Sequence, residues 1–141
     1  MSQVRDIINN RDLFSVDENQ TVAEVVRRMA ELQVGAILVL QDDQLRGIFS
    51  ERDLLRRVVL EQMDPQQTAV RQVMSINLAT VDETVTLEQA MAAMQTHSCR
   101  HLPVMRGPRV VGFLSMRDLM NEELTRQTEE LHHMRAYIHG S

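Results

Sequence analysis

Two short stretches carry side chains suited to holding a ligand. One reads GIFSERD at residues 47–53, the other GFLSMRD at residues 112–118. Each has a Gly, two apolar residues, a Ser and, three positions later, an Asp. A Ser hydroxyl can bond a phosphate or sugar oxygen. An Asp carboxylate can accept from both hydroxyls of a ribose. A strand that runs straight into a helix start also points backbone N–H groups at an anion. Gly47 and Gly112, at the strand ends, would let a ligand approach the backbone. The same residues satisfy a plainer role. Ser50-x-x-Asp53 and Ser115-x-x-Asp118 have the spacing of a helix capping box, with Asp for the usual Glu. Asp in a first helical turn is favoured by the helix dipole, and such caps contribute about 0.5–2 kcal/mol each. On the residues alone, cap and binding site both remain open.

Other reactive groups point less clearly to chemistry. His97, Cys99 and His101 alternate, but no orienting Asn or Asp stands nearby. Cys99 reads more simply as a small buried residue at a strand entry. His132, His133 and His139 suggest a metal, yet adjacent His residues on a helix diverge by about 100°. No acidic or Cys cluster has metal-ligand spacing. There is no Gly-rich phosphate loop, no Gly-x-Gly-x-x-Gly and no paired catalytic carboxylates. The chain is therefore expected not to be an enzyme and to hold no catalytic cofactor and no metal.

The elements that must position these residues come as two copies. Residues 16–55 align without a gap on residues 81–120 at an offset of 65. Val16, Asp17 and Glu18 meet Val81, Asp82 and Glu83; Thr21 meets Thr86; Met29 meets Met94; Val39 meets Val104. Upstream, VRDII at 4–8 resembles VRQVM at 70–74 with the offset slipped to 66. Thr21 and Thr86 open capping boxes with Glu24 and Gln89, each followed by apolar residues at helical spacing. GAILVL (35–40) and LRGIF (45–49) read as a hairpin around the turn QDDQ, followed by a helix from Ser50 to Leu60. HLPVM and RVVGFL around RGPR repeat that hairpin, with a last helix from Ser115. Each unit thus reads α, β, β, α. Leu124, Leu131, Met134 and Ile138 mark one stripe of a further helix, expected to dock on the body or on a partner subunit.

Composition agrees with a small folded body. The 141 residues are 43% hydrophobic and 25% charged, with a net charge of −5. Aromatics are 3%, so stacking platforms for single-stranded nucleic acid are scarce. The acidic balance, without a basic stripe, also argues against nucleic acid as a partner. Every one of the 15 basic Lys-or-Arg positions is Arg, a side chain suited to phosphate and carboxylate. One cysteine excludes an internal disulfide and fits a cytoplasmic setting. No signal peptide and no membrane-length apolar run is read.

The tandem α-β-β-α unit, closed each time by Gly-x-x-Ser-x-x-Asp and with RHLPV at 100–104, resembles a pair of CBS domains, the modules named after cystathionine β-synthase. The resemblance covers about residues 4–120, and the short chain resembles stand-alone bacterial CBS-pair proteins. It implies an α/β (α+β) fold of two pseudo-twofold related units, each a small, mostly antiparallel sheet flanked by helices. The units would span 4–61 and 70–121, with a linker at 62–69 and a C-terminal helix at 122–139. It implies two clefts for an adenosine-containing regulatory ligand such as AMP, ADP, ATP, NAD or S-adenosylmethionine. The motif Asp would hold the ribose and the Ser a phosphate or the ribose.

Carried onto this chain, one cleft would join Gly47, Ser50, Arg52 and Asp53 to Asn77, Leu78, Ala79, Cys99, Arg100 and His101. The other would join Gly112, Ser115, Arg117 and Asp118 to Asn10, Leu13, Phe14, Val34, Gly35 and Ala36. Arg100 and His101 opposite GIFSERD would give the Asp53 cleft the tighter phosphate site, with Gly35 and Ala36 opposite GFLSMRD. Arg52 and Arg117 stand equally as phosphate ligands or exposed helix residues. The function implied is a non-enzymatic sensor, homodimeric through helices 51–60 and 116–124, acting on a regulated protein the sequence does not identify. The alternative is a ligand-free interaction or oligomerisation scaffold whose Ser-x-x-Asp boxes are only caps.

Overall fold

The computed structural model describes residues 2–139, with the backbone alone at His139. A short helix α1 (Val4–Ile8) leads into β1 (Ser15–Asp17), α2 (Val22–Leu32), and the hairpin β2 (Ala36–Gln41) and β3 (Gln44–Ser50). The second repeat gives β4 (Val81–Asp82), α4 (Leu87–His97), β5 (His101–Arg106) and β6 (Arg109–Ser115). Two three-stranded sheets result, ordered β1-β2-β3 and β4-β5-β6. In each, the hairpin is antiparallel and the leading short strand is parallel to its neighbour. The α, β, β, α reading therefore lacked one strand per unit. Strands of two or three residues are too short to show alternation.

Local chemistry explains the elements. Thr21 Oγ1 accepts from the Glu24 N–H at 3.2 Å and starts α2. The two preceding N–H groups, of Val22 and Ala23, donate to the carbonyls of Thr68 and Pro65. The linker at 62–69 is thus tied down as the completion of a helix start. Asp42 and Asp43 have φ of 50° and 64°, the paired left-handed conformation that joins β2 to β3 without splaying them.

The helix expected from Ser50 to Leu60 is α-helical only at Glu51–Asp53 (α3) and continues as a π-helical turn over Leu54–Val59. Its bond from Leu60 N–H to Leu55 C=O spans five residues. This winding buries Val58 and leaves Leu55, Val59 and Leu60 exposed.

Each repeat lends its leading segment to the other's core. Val4 and Ile8 of α1 are buried with Val81, Leu87, Leu102, Leu114 and their neighbours. Val70, from a 3-10 turn at Val70–Gln72, and Val73 and Met74 just after it are buried with Val16, Val25, Ile37 and Phe49. The backbone repeats this exchange. Val4 N–H donates to Val85 C=O and Arg5 N–H to Glu83 C=O; in the other half Val70 donates to Gln20 and Arg71 to Glu18. These pairs match under the sequence offsets, so the pseudo-twofold is written into the hydrogen bonds. Neither unit closes its core alone.

The last helix, α5, runs unbroken over Met116–His139. The separate C-terminal helix expected at 122–139 is a continuation of the helix that the second motif starts. Arg126 reaches Glu88 of α4 at 3.7 Å, but residues 127–138 are all exposed. Their stripe of Leu131, Met134 and Ile138 does not dock on the body of its own chain. No helix among the described residues is long and apolar enough to cross a membrane.

Candidate functional site

The two Ser-x-x-Asp boxes form as capping boxes in both halves. Ser50 Oγ accepts from Asp53 N–H at 3.2 Å, and Asp53 Oδ2 accepts from Ser50 N–H at 3.0 Å. Ser115 and Asp118 repeat this at 3.0 and 2.8 Å. In each helix start, the first N–H is also taken. Glu51 donates to Gly35 C=O and Met116 to Arg100 C=O. With two of the first three N–H groups occupied, neither start is an open anion cradle. A phosphate here would depend on side chains.

Beyond the caps, the halves diverge. Asp53 is buried, 5% exposed. Its Oδ2 also accepts from Ser50 Oγ, its Oδ1 accepts from Ser75 Oγ at 3.0 Å, and Arg57 stands 3.6 Å from that oxygen. Ser75 exchanges both backbone hydrogen bonds with Ile48, so the chain after Met74 lies over the GIFSERD strand. A Cβ on Gly47 would fall 2.6 Å from Met74 Sδ and 2.8 Å from Ser75 O. The glycine makes room for the protein's own chain, not for a ligand.

Gly112 is the counterpart. A Cβ there would lie 2.7 Å from Ile8 Cδ1, Ile8 being the repeat equivalent of Met74. After Ile8, however, the chain turns away through Asn9 and Asn10, the latter with φ of 68°. No described residue covers Asp118 as Ser75 covers Asp53. The Asp118 side chain is 20% exposed, and its Oδ1 meets Arg11 Nη1 at 3.0 Å.

That turn opens a cleft of about 1380 Å³. Gly112, Ser115, Arg117 and Asp118 line one side. Asn10, Leu13, Phe14, Val34, Gly35 and Ala36, from the 9–14 loop and the entry to β2, line the other. All ten residues carried onto the second cleft thus share one cavity. The ten carried onto the first do not. Arg100 and His101 line the Asp118 cleft, not a cleft at Asp53. This differs from the expectation that they join Asp53 in one cleft; of GIFSERD, Glu51 alone shares their cavity among its described lining. The strand entry that holds them is hydrogen-bonded to its own unit's motif, His101 pairing with Ser115 and Arg100 C=O accepting from Met116. Cys99 and Ala79 pack against the second core, Leu78 is half-buried, and Arg52 and Asn77 are exposed.

Three arginines, Arg11, Arg100 and Arg117, and three carboxylates, Asp12, Glu51 and Asp118, share the cleft. Phe14 lies under the Arg28 guanidinium, 5.7 Å from its ring centre. His101 stacks on Phe113 at 5.2 Å. Burial pushes the His101 imidazole below its ordinary value; Asp118 opposes that shift and Arg100 adds to it. Sequence reasoning missed Arg11, Asp12 and Glu51. Arg11 and Asp12 sit in a polar loop with no periodicity, and Glu51 is one of the variable positions inside the motif. Among the described residues, no His, Cys, Asp or Glu group is arranged to hold a metal.

Comparison with known proteins fits this geometry. The CBS domain family model matches the chain twice, over residues 4–60 and 70–124. The chain belongs to the CBS domain family. The CBS domain-containing protein YhcV of Bacillus subtilis is 31% identical over 128 residues, 91% of this chain and 90% of that one. A solved structure of a CBS-domain protein from Burkholderia ambifaria is 32% identical with a TM-score of 0.83, covering 89% of this chain and 96% of that one. Hypoxic response protein 1 of Mycobacterium tuberculosis is 26% identical over 120 residues, 84% of this chain and 83% of that one. CBS pairs are regulatory and signal-transduction modules, and that coarse function holds for this chain.

Proposed function

We propose that this CBS pair is a non-enzymatic sensor that binds one adenosine-containing nucleotide per chain, in the Asp118 cleft. The observation that carries the reading is the contrast between the two motif aspartates. Asp53 is buried and bonded by its own chain, whereas Asp118 faces a cavity in company with three arginines. Asp118 suits a ribose diol. Leu13, Phe14 and Val34 offer an apolar wall for a base, and the arginines suit phosphate. A phosphate-bearing ligand such as AMP, ADP, ATP or NAD therefore fits better than S-adenosylmethionine, which brings a cation. The volume exceeds the roughly 300–1,000 Å³ of ordinary small-molecule sites, so size does not choose among those nucleotides. A ligand that bridges the 9–14 loop and β6 ties α1 to the second sheet. It signals if it favours one placement of the units or of two copies. A thermal-shift panel tests this. A ligand at about 100 times its Kd stabilises the fold by about 2.7 kcal/mol; no shift with any adenine nucleotide would contradict the proposal.

A second property rests on the unpartnered apolar surface. Leu124, Leu131 and Ile138 recur every seven residues along α5, the alternate positions four residues before each are Met120, Gln127 and Met134, and the five apolar side chains among them are exposed. That spacing is a coiled-coil seam. Leu55, Val59 and Leu60 extend the exposed apolar surface on the other motif helix. The sensor is proposed to work as a homodimer through these helices. The scaffold alternative accounts for the Asp53 box, whose cap and Ser75 hydrogen bonds are structural, but leaves the Asp118 cleft without a use.

A further inference from the structure

We infer that Arg11 makes the Asp118 cleft prefer a phosphorylated nucleoside to the bare nucleoside; this rests on the nucleotide reading of that cleft. Both oxygens of Asp118 are engaged. Oδ2 accepts from the Ser115 N–H at 2.8 Å, and Oδ1 meets Arg11 Nη1 at 3.0 Å. The first partner is backbone, fixed by the helix cap. The second is a long side chain, 47% exposed, on the loop that forms the opposite wall. A ribose diol that takes the carboxylate must therefore displace or share Arg11.

A nucleoside that does so breaks an ion pair and brings no anion in return. The guanidinium is left in a cleft that already holds Arg100 and Arg117, and the other two carboxylates there, Asp12 and Glu51, are not paired with it among the described residues. A nucleotide brings its own phosphate, which a guanidinium engages with two parallel donors. The exchange is then carboxylate for phosphate, and the cation stays paired. Arg11 discriminates by penalising the ligand that lacks the phosphate as well as by attracting the one that has it. The repeat offers no equivalent. Under either offset the counterpart of Arg11 is Ile76 or Asn77, neither charged, and Asp53 is closed by Ser75.

The test is calorimetric titration of AMP and adenosine into the full chain, as wild type, Arg11→Gln and Arg11→Lys, at one ionic strength. The wild type is expected to bind AMP about ten- to a hundredfold more tightly than adenosine, the range of one charge-assisted contact. Arg11→Gln is expected to reduce that ratio about tenfold or more, with adenosine binding unchanged or tighter. Arg11→Lys, which keeps the charge, should retain most of the preference. Equal weakening of both ligands by Arg11→Gln, or an unchanged ratio, would overturn the role given to Arg11 while leaving the nucleotide site standing. Wild-type protein that binds neither ligand would overturn the nucleotide reading itself, and the inference with it. Half-exposed Arg11 makes no core contact, so its variants should fold.

Discussion

The two motif aspartates should respond to mutation in opposite ways. Asp53→Ala removes a buried acceptor of three hydrogen bonds and strands the Ser75 hydroxyl and the Ser50 N–H. It is expected to lower stability by about 2–3 kcal/mol, read by urea denaturation, with nucleotide affinity nearly unchanged. Asp118→Ala loses one cap, about 0.5–2 kcal/mol, and abolishes binding. His101 adds a pH dependence. Its folded-state value is depressed, chiefly by burial, so the native chain resists protonation that the unfolded chain accepts. Its contribution is present above the unfolded value of 6.5 and is lost as pH falls from there through the depressed folded value. Stability should therefore rise with pH up to about the unfolded value of 6.5, and His101→Asn should flatten part of that slope, checked by denaturation at a series of pH values. The motif residues themselves were legible in the sequence, because Ser-x-x-Asp is repeated and cap chemistry is local. Which aspartate faces a cavity was not. That depends on Ser75 and Asn10, whose difference emerges only when the segments after Met74 and Ile8 take different paths.

At the scale of elements, the two glycines test the exchange of leading segments. Gly47→Ala drives a Cβ against Met74 and the Ser75 backbone, and should cost about 1–3 kcal/mol. The three atoms nearest a Cβ on Gly112 all belong to the Ile8 side chain. Ile8→Ala is expected to absorb part of the cost of Gly112→Ala, so the double variant should be less destabilised than the sum of the singles in a denaturation cycle. The hairpins and both long helix starts could be read from turn residues and Thr caps. The parallel strands β1 and β4 could not, being too short to carry a pattern. Nor could the π-helical turn after Asp53, since LLRRVV has ordinary helical composition. Arg100 and His101 were misplaced for a related reason. Sequence offset matches residues between repeats, but it does not say which sheet edge faces which loop.

Over the whole molecule, the family resemblance that the internal repeat carries implied the pseudo-twofold, and the backbone pairs Val4–Val85 and Val70–Gln20 realise it. Its breakdown in the cleft confines the proposed binding to one half. The seam on α5 predicts self-association. Leu131→Glu with Ile138→Glu should halve the mass seen by sedimentation without unfolding the body, since both residues lie beyond the part of α5 that packs. An unchanged mass would move the dimer contact to Leu55, Val59 and Met120. The central claim is that the Asp118 cleft is the nucleotide site and the Asp53 half is closed. Calorimetric titration of AMP into wild type, Asp53→Ala and Asp118→Ala tests it most directly. One AMP per chain is expected for wild type and for Asp53→Ala, and none for Asp118→Ala. Two AMP per chain, or binding that survives Asp118→Ala and disappears in Asp53→Ala, would contradict it.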